Sequence, residues 1–392
     1  MMDPEIVQVD LTPVHVPFKT QVQQFMANSE GGVGMAIPVE EGWLGGDFVI
    51  CQLTCNDGSV GVGEVFMWLP ETGVSPNQVI DSIQNALARY ILGESPFDVE
   101  RMAQRMNNNV ARNEVAKGLL DMACYDLMGQ LTGRPACELM GGCAVDELPL
   151  TALIPLADVE LMVTLAKMYH KQGYRTFRLK LGKGITEDVA IVEAIREVLG
   201  SDVRIRVDYN QAYAPPDAVS AIAAIEPLDI EVAEQPVAAE DYLGMVYVQQ
   251  RVHTPLMAHE GCFSLRDFIT LVQLGAVGVL GVNLERPGGI TNALHAIDYA
   301  TQIGYGTVLH NQPLGINSAA QIHLAAARYH SLGHAMELTG DIMLEDDLLV
   351  EPLAYENGFV KVPHGPGWGV TLDQQTLDYY KTSLTVTLKQ KK

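Results

Sequence analysis

The stretch TFRLKLGKGITEDVAIVEAIREVLGSDVRIRVDYN, residues 176–210, contains a short strand-like run, an amphipathic helical segment and a second strand-like run. The outer runs are rich in β-branched and other apolar residues, whereas the middle segment repeats apolar residues every three or four positions. In such units the two strands lie parallel and the helix covers one face of the sheet. This stretch therefore predicts one unit of a parallel α/β fold.

The same alternation extends over residues 148–352 and supplies eight candidate strands. Their sequences are PLTALIPL, TFRLKL, VRIRVDYN, DIEVAEQP, PLMAHE, GVLGVNL, GTVLHN and AMELTG. Eight parallel strands with intervening helices close into a barrel of roughly 200 residues or more. The chain of 392 residues is therefore long enough for a barrel and a smaller second domain.

Residues 1–130 have a different pattern, with strand-like runs first and helices afterwards. EIVQVDLTPVHV and GDFVICQLTC are followed by the hairpin sequence NDGSVGVGE, and amphipathic helical segments come next. Strands followed by helices predict an α+β domain. The strand–helix period is lost after residue 352, and we expect residues 353–392 to pack back on this first domain.

Seven of the eight candidate barrel strands lead into a polar residue at their carboxyl end. These residues, 23–28 positions apart, are Lys180, Asp208, Glu234, Glu260, Asn283, His310 and Glu337. The carboxyl ends of barrel strands meet at one face, where barrel enzymes carry their catalytic groups. The spacing therefore predicts an active site on this rim.

The composition excludes several classes of partner. A formal net charge of −23 repels nucleic acid and anionic membranes. The opening sequence MMDPEIVQVD lacks the basic and apolar segments of a signal peptide, which favours a cytoplasmic protein. The six cysteines form no CxxC pair, so we expect reduced thiols and neither a disulfide nor a zinc site.

Three rim carboxylates on adjacent strands predict a metal site. Asp208, Glu234 and Glu260 would form an all-oxygen cluster, which suits a hard cation such as Mg²⁺, or Mn²⁺, better than zinc. Buried like charges without a counter-charge are costly. We therefore expect one divalent cation per subunit.

The other rim residues suggest acid–base chemistry. Lys180 is the candidate base, and Arg178 lies two residues earlier on the same face of the strand. His310 lies across the barrel from Lys180, so the two groups could flank opposite faces of one substrate. Asn283 is expected to orient the ring of His310, and Glu337 to help stabilise the product of proton abstraction.

With these residues in place, the chain resembles the enolase superfamily, and within it the mandelate racemase and muconate lactonizing enzyme group. The resemblance rests on AKGLLDMACYDLMGQLTGRPACELMGG, RLKLG, VDYNQAY, EQP, the pair His259-Glu260, PGG and GPGWGVTLD. It implies a modified (β/α)7β barrel and a capping domain whose loops, about residues 18–45 and 66–76, select the substrate. It also implies Mg²⁺, a small carboxylate substrate that loses its α-proton to give an enediolate, and a homo-oligomer between dimer and octamer.

Individual positions can be matched to the family's motifs. Lys180 corresponds to the second lysine of the KxK motif, while Arg178 replaces the first. The three carboxylates correspond to the metal ligands, with Glu260 in the racemase-like placement. His259 stands where lactonizing relatives carry an aspartate ligand, so the pair offers two alternatives for the third ligand.

Asn283 departs from the family pattern, because lactonizing relatives have a catalytic lysine there and racemase-like relatives the aspartate of an Asp-His dyad. An amide offers the imidazole no negative charge, so His310 is expected to act as an acid more easily than as a base. We therefore predict dehydration of a hydroxy acid or acid sugar. Lys180 would remove the α-proton, the metal and Glu337 would stabilise the enediolate, and His310 would protonate the departing β-hydroxyl.

Other functions stay open. A racemase, epimerase or cycloisomerase of a carboxylic acid or amino-acid derivative would use the same first step. A metal-dependent hydrolase would carry a His-x-His pair on the first strand, where PLTALIPL has none, and a barrel that binds metal without catalysis is a third alternative. The first capping loop contains Phe18, Phe25, Met26, Met35 and Trp43, which favours a substrate less hydroxylated than a sugar diacid.

Overall fold

The computed structural model describes residues 3–28 and 44–390. Its strands are β1 (Ile6–Pro17), β2 (Gly45–Cys55), β3 (Val60–Met67), β4 (Glu147–Pro149), β5 (Thr151–Ile154), β6 (Thr176–Lys180), β7 (Arg204–Asp208), β8 (Ile230–Glu234), β9 (Leu256–Ala258), β10 (Val279–Val282), β11 (Gly306–Asn311), β12 (Glu337–Leu338), β13 (Tyr355–Glu356), β14 (Phe359–Lys361) and β15 (Val386–Lys389).

Helices connect and cover these strands. The α-helices are α1 (Thr20–Asn28), α2 (Leu69–Thr72), α3 (Pro76–Ser82), α4 (Val99–Asn109), α5 (Glu114–Thr132), α6 (Ala136–Leu139), α7 (Val159–Lys171), α8 (Ile185–Leu199), α9 (Pro215–Ile225), α10 (Tyr242–Gln249), α11 (Leu265–Leu274), α12 (Ile290–Gln302), α13 (Gly315–Ala327), α14 (Tyr329–Leu332), α15 (Gly340–Met343) and α16 (Gln374–Tyr380). Short turns of π-helix (Ile83–Leu87) and 3₁₀-helix (Ala88–Tyr90, Pro96–Asp98 and Glu226–Leu228) complete the set.

Strands β5 to β12 form a single parallel sheet in sequential order. Its two ends meet where the backbone N–H of Thr151 donates to the carbonyl of Met336 at 2.8 Å, which closes the barrel. All eight predicted strands are present, and the (β/α) barrel with an antiparallel cap domain confirms the predicted fold class. The barrel places the carboxyl ends of all eight strands at one face.

The N-terminal sheet is antiparallel, with the order β15-β1-β2-β3, and α5 packs against it. The backbone of α5 lies so close to β3 that no side chain fits between them. A Cβ atom built at Gly61 would lie 2.5 Å from the backbone nitrogen of Leu127, and one at Gly63 would lie 2.7 Å from the carbonyl of Leu119. The glycines of the predicted hairpin therefore serve this close approach as well as the turn.

The segment after the barrel returns to the N-terminal sheet. Trp368 is completely buried, and its indole N–H donates to the carbonyl of Val62 at 3.0 Å. Asp126 on α5 accepts from the backbone N–H groups of Val62 at 2.7 Å and Trp368 at 2.8 Å. One buried carboxylate thus joins strand, helix and C-terminal segment.

The prediction of six reduced thiols is wrong for one pair, because the turn after α6 brings the Cα atoms of Cys137 and Cys143 to 5.3 Å and the structure joins them in a disulfide. Met35 and Trp43 of the first capping loop lie outside the described residues.

Within residues 3–28 and 44–390, no helix has the length and apolar character needed to cross a membrane.

We expect Asp126→Ala to lower the free energy of unfolding by about 2–3 kcal/mol, because two buried backbone N–H groups would lose their acceptor. Asp126→Asn is the matched control, since its single side-chain oxygen can still accept from one of the two N–H groups, and its loss should be smaller. Urea denaturation followed by circular dichroism measures both. Equal midpoints for Asp126→Ala and the unaltered chain would contradict this role.

Candidate active site

The predicted rim residues lie at one end of the barrel. Register between neighbouring strands places Lys180 beside Asp208 and Asp208 beside Glu234. On the other side of the junction between β5 and β12, where the barrel closes, His310 of β11 pairs with Glu337 of β12. The two remaining rim residues follow β9 and β10 within two positions. The spacing read from the sequence therefore predicted a real ring of side chains.

A pocket opens above this ring. The barrel residues that line it are Arg178, Lys180, Asn210, Gln211, His259, Glu260, Asn283, His310, Asn311, Gln312 and Glu337. The N-terminal domain contributes Phe66, Trp68 and Glu71. Asp208 and Glu234 do not line the pocket and are almost fully buried. The site thus has a charged barrel wall and a partly aromatic wall from the cap.

Arg178 is the centre of a buried ion-pair cluster. Its Nη2 donates to Asp208 and, at 2.7 Å, to Oε1 of Glu234, while its Nη1 donates to Oε1 of Glu337 at 2.6 Å. Burial alone would lower the pKa of the guanidinium, but the carboxylates of Glu234, Glu337 and Asp208 outweigh it and hold the pKa well above its ordinary value. Arg178 is therefore a fixed positive charge.

Lys180 lies beside this cluster at the end of β6. Its Nζ donates to Oδ2 of Asp208 at 2.5 Å and to Oδ1 of Asn210 at 2.8 Å. The side chain is almost fully buried, yet the residue lines the pocket. Asp208 and Asn210 therefore fix the amine at the pocket wall, where a base must lie to reach a substrate proton.

The three predicted ligand carboxylates differ in their electrostatics. Burial opposes ionisation of Asp208, but Lys180 and Arg178 hold its pKa below the ordinary value. Burial raises the pKa of Glu234 to about 8 despite Arg178, and burial together with Asp208 raises the pKa of Glu260. The two cations thus balance only part of the negative charge that these carboxylates can carry.

This unbalanced carboxylate set fits a hard divalent cation. Oxygen donors are what Mg²⁺ prefers, and a doubly charged ion would stabilise the ionised forms of Glu234 and Glu260. Hydrogen bonds orient Glu260, whose Oε1 accepts from Gln211 at 2.9 Å and whose Oε2 lies 3.0 Å from Nδ1 of His259. The side chain of His259 therefore positions Glu260 in this structure.

A second set of possible ligand atoms overlaps the first. Glu234, His259 and His310 offer one atom each within 4.8 Å of one another. Two imidazoles would favour a softer metal than Mg²⁺. Nε2 of His310, however, already accepts a hydrogen bond from Nη2 of Arg286 at 3.1 Å. The carboxylate set is the better fit to the contacts present.

The prediction that Asn283 orients His310 is wrong. Oδ1 of Asn283 accepts from the backbone N–H of Arg286 at 2.9 Å, so the amide stabilises the turn after β10. That turn carries the Arg286 guanidinium to His310. Because a guanidinium only donates, Nε2 of His310 must accept. Burial, His259 and Arg286 lower the pKa of His310 well below its ordinary value, which favours the neutral imidazole.

Several polar residues of the site were not singled out from the sequence. They are Glu71, Asn210, Gln211, Glu285, Arg286 and Asn311. Asn210 and Gln211 have positive φ angles of 43° and 67°. The sequence that follows VDY, residues 207–209, did not lead us to predict this backbone conformation. Arg286 directly precedes the PGG motif, and this position was the one feature of the sequence that could have indicated a role for it in the site. The others become recognisable only when the cap and barrel are brought together.

Two buried carboxylates connect the cap to the rim. Glu64 of β3 accepts from the backbone N–H of Leu314 at 2.7 Å and of Asn317 at 3.0 Å, at the first turn of α13. Glu285 accepts from the backbone N–H of Phe66 at 3.2 Å and from the side chain of Asn311. Burial raises the pKa of Glu64 to about 8, although the α13 N-terminus favours its negative charge.

Comparison with known proteins agrees with this architecture. Residues 44–141 match the family "Mandelate racemase / muconate lactonizing enzyme, N-terminal domain", and residues 161–376 match the family "Enolase C-terminal domain-like". The fold and rim define an enolase-superfamily enzyme. The chain belongs to the mandelate racemase and muconate lactonizing enzyme family.

Relatives of known activity are similar over most of their length. The N-succinyl-L-Arg/Lys racemase of Bacillus cereus is 29% identical over 84% of this chain and 89% of its own. Its crystal structure superposes with a TM-score of 0.87, at 26% identity, covering 98% of this chain and all of that one. The hydrophobic dipeptide epimerase of Enterococcus faecalis is 36% identical over 72% of this chain and 80% of its own. The chloromuconate cycloisomerase of Cupriavidus pinatubonensis is 30% identical over 83% and 89%.

We expect Glu234→Gln to weaken Mg²⁺ binding more than about 100-fold, because it removes a charged oxygen ligand and keeps the shape of the side chain. In the unaltered protein the affinity should rise as the pH increases toward about 8, since burial raises the pKa of Glu234 to about 8 and the cation binds the carboxylate form. Isothermal titration calorimetry with Mg²⁺ measures both effects.

Glu231→Gln is the matched control, because Glu231 lies on the same strand but pairs with His334 at 3.0 Å, away from the rim. This variant should bind Mg²⁺ like the unaltered protein. Normal binding by Glu234→Gln would show that the cation lies elsewhere.

Proposed function

We propose that this protein is a metal-dependent isomerase that inverts the configuration of the α-carbon beside a carboxylate, in an N-acylated amino acid or a dipeptide. The relatives described above are a racemase, an epimerase and a cycloisomerase, which supports isomerisation over the dehydration predicted from Asn283. The two relatives that racemise or epimerise act on amino-acid derivatives by their names.

The observation that carries the proposal is the state of His310. The ring is buried, and its Nε2 accepts from Arg286. A general acid for a departing hydroxyl would need an additional proton on this ring, which both burial and the adjacent guanidinium oppose. A neutral imidazole is instead suited to accept a proton, as inversion of an α-carbon requires.

Inversion needs groups on both faces of the α-carbon. Lys180 and His310 line one pocket from opposite parts of the strand order, on β6 and β11. In the direction that suits the neutral ring, His310 would take the α-proton from one face and the Lys180 ammonium would return a proton to the other. The reverse direction would start from the neutral lysine and the imidazolium that this direction leaves. A divalent cation held by the three carboxylates would stabilise the negative charge that develops on the substrate carboxylate.

Other residues would bind and orient the substrate. Trp68 and Phe66 form the apolar part of the cap wall, which suits the side chain or acyl group of an amino-acid derivative. Arg178 keeps Asp208, Glu234 and Glu337 in place through its three ion pairs. Glu337 has one oxygen, Oε2, that makes no hydrogen bond within the described residues, and we propose that the protonated form of the carboxyl group donates a hydrogen bond from this oxygen to the enediolate.

We expect the Mg²⁺-loaded protein to exchange the α-proton of both enantiomers of a suitable N-acyl amino acid or dipeptide in D₂O. Lys180→Ala should abolish exchange from one enantiomer and His310→Asn from the other, each by about 10²–10⁴-fold, because each variant removes the base on one face. Proton NMR of a panel of such substrates measures the rates.

The products separate the alternatives. Loss of water without inversion would restore dehydration as the function, and a product with altered connectivity would favour cycloisomerisation. Exchange of both enantiomers that survives Lys180→Ala would contradict the assignment of the base.

A further inference from the structure

Arg286 connects three parts of the site that the sequence keeps apart. It is 1% exposed and lies in the turn between β10 and α12. Its Nη1 donates to the carbonyl of His259, and its Nη2 donates to Nε2 of His310 at 3.1 Å. Its Nε makes no hydrogen bond to any described residue. The Nε–H donor of this buried guanidinium therefore stays available.

Glu71 of α2 faces that free donor from the N-terminal domain. Its Oε1 lies 3.6 Å from Nε of Arg286 and 3.7 Å from Nε2 of His259. This oxygen is buried and likewise lacks a hydrogen bond within the part of the chain described. A separation of 3.6 Å allows attraction between the charges but is too long for a hydrogen bond, which needs about 2.7–3.2 Å.

The Arg286 contact has a chemical cost for the proposed reaction. An imidazole nitrogen has one lone pair, and at Nε2 of His310 the guanidinium occupies it. The same lone pair would have to accept the substrate α-proton when His310 acts as the base. Arg286 must therefore leave Nε2 before this half-reaction, and it needs another acceptor when it does, since an unpaired buried guanidinium is unfavourable.

We propose that Glu71 is that acceptor, and that Glu71 and Arg286 are positioning residues for His310. A shift of about 1 Å would turn the present separation into a charge-assisted hydrogen bond and draw the guanidinium off the imidazole. The α-proton then passes from carbon to Nε2 of His310, its bonding electrons stay on the substrate as the enediolate, and Arg286 keeps all its protons. This inference rests on the two-base isomerisation proposed above.

The arrangement would couple substrate enclosure to base release. Glu71 lies on the same short segment of the cap as Trp68, and both line the pocket beside the barrel residues. A substrate held between cap and barrel therefore contacts the element that carries the acceptor for Arg286. Lys180 has no contact with Arg286 or Glu71 among the described residues, so its half-reaction does not depend on this exchange.

The test compares the two half-reactions in D₂O with Mg²⁺-loaded enzyme. The enantiomer that loses α-proton exchange in His310→Asn is the one whose exchange depends on His310. We expect Glu71→Gln to slow this exchange at least about 10-fold more than exchange of the other enantiomer, because a neutral amide attracts the guanidinium less. Glu100→Gln, which neutralises an exposed carboxylate of the same domain, should slow neither.

A double variant distinguishes a positioning role of Arg286 from a purely structural role in supporting the loop. If the guanidinium blocks Nε2 when Glu71 is absent, Glu71→Gln/Arg286→Met should exchange the His310-dependent enantiomer faster than Glu71→Gln alone. If Arg286 only supports the loop, the double variant will be slower still. Equal slowing of both enantiomers in Glu71→Gln, or no slowing of either, would also overturn the proposal.

A spectroscopic measurement tests the contact without turnover. In Mg²⁺-loaded protein with ¹⁵N-labelled histidine, the Nε2 resonance of His310, assigned by its loss in His310→Asn, should be that of an unprotonated, hydrogen-bonded nitrogen. Arg286→Lys should keep much of this bonding, whereas Arg286→Met should move the resonance toward an unbonded nitrogen. An unchanged resonance in Arg286→Met would exclude the contact. Absence of α-proton exchange in the unaltered enzyme would instead count against the proposed function alone.

Discussion

The barrel depends on one buried guanidinium, that of Arg178, surrounded by the carboxylates of Asp208, Glu234 and Glu337. Its partners lie on β7 and β8 to one side and on β12 to the other, so the cluster spans the position where the sheet closes on itself through β5. Removing one member of such a buried set leaves an uncompensated charge, which is far more costly than losing a surface ion pair. The same charge that holds the rim together also sets the geometry of the carboxylates proposed to bind metal.

The cap and barrel form the site jointly. The cap also forms hydrogen bonds with the barrel. Glu64 of β3 accepts from backbone N–H groups at the first turn of α13, the helix that follows His310, and Glu285 of the barrel accepts from a backbone N–H of β3. Carboxylates buried at this junction would be unfavourable without those donors. These hydrogen bonds therefore help to fix the position of the aromatic wall relative to the strand ends, together with the apolar core that is continuous between cap and barrel.

The sequence predicted the features that depend on local periodicity. Eight strands, the ring of polar strand ends and the antiparallel sheet all follow from patterns within one strand–helix unit or one hairpin. The partner of His310 was missed, because a turn after β10 brings Arg286 there and uses the Asn283 amide to stabilise itself. Three-dimensional packing decides which side chain contacts His310. The joining of Cys137 to Cys143 was missed for a related reason, since thiol spacing alone does not specify oxidation.

The pairing of β15 with β1 also orders events during biosynthesis. The strand that fills the edge of the first sheet follows the barrel in the chain, with Leu388 opposite Val9. While the ribosome extends the chain, β1 has β2 as a neighbour on one side and an open edge on the other. An open strand edge can recruit other chains. The edge of β1 in the nascent protein therefore stays open until Val386–Lys389 has been translated, long after the last barrel strand.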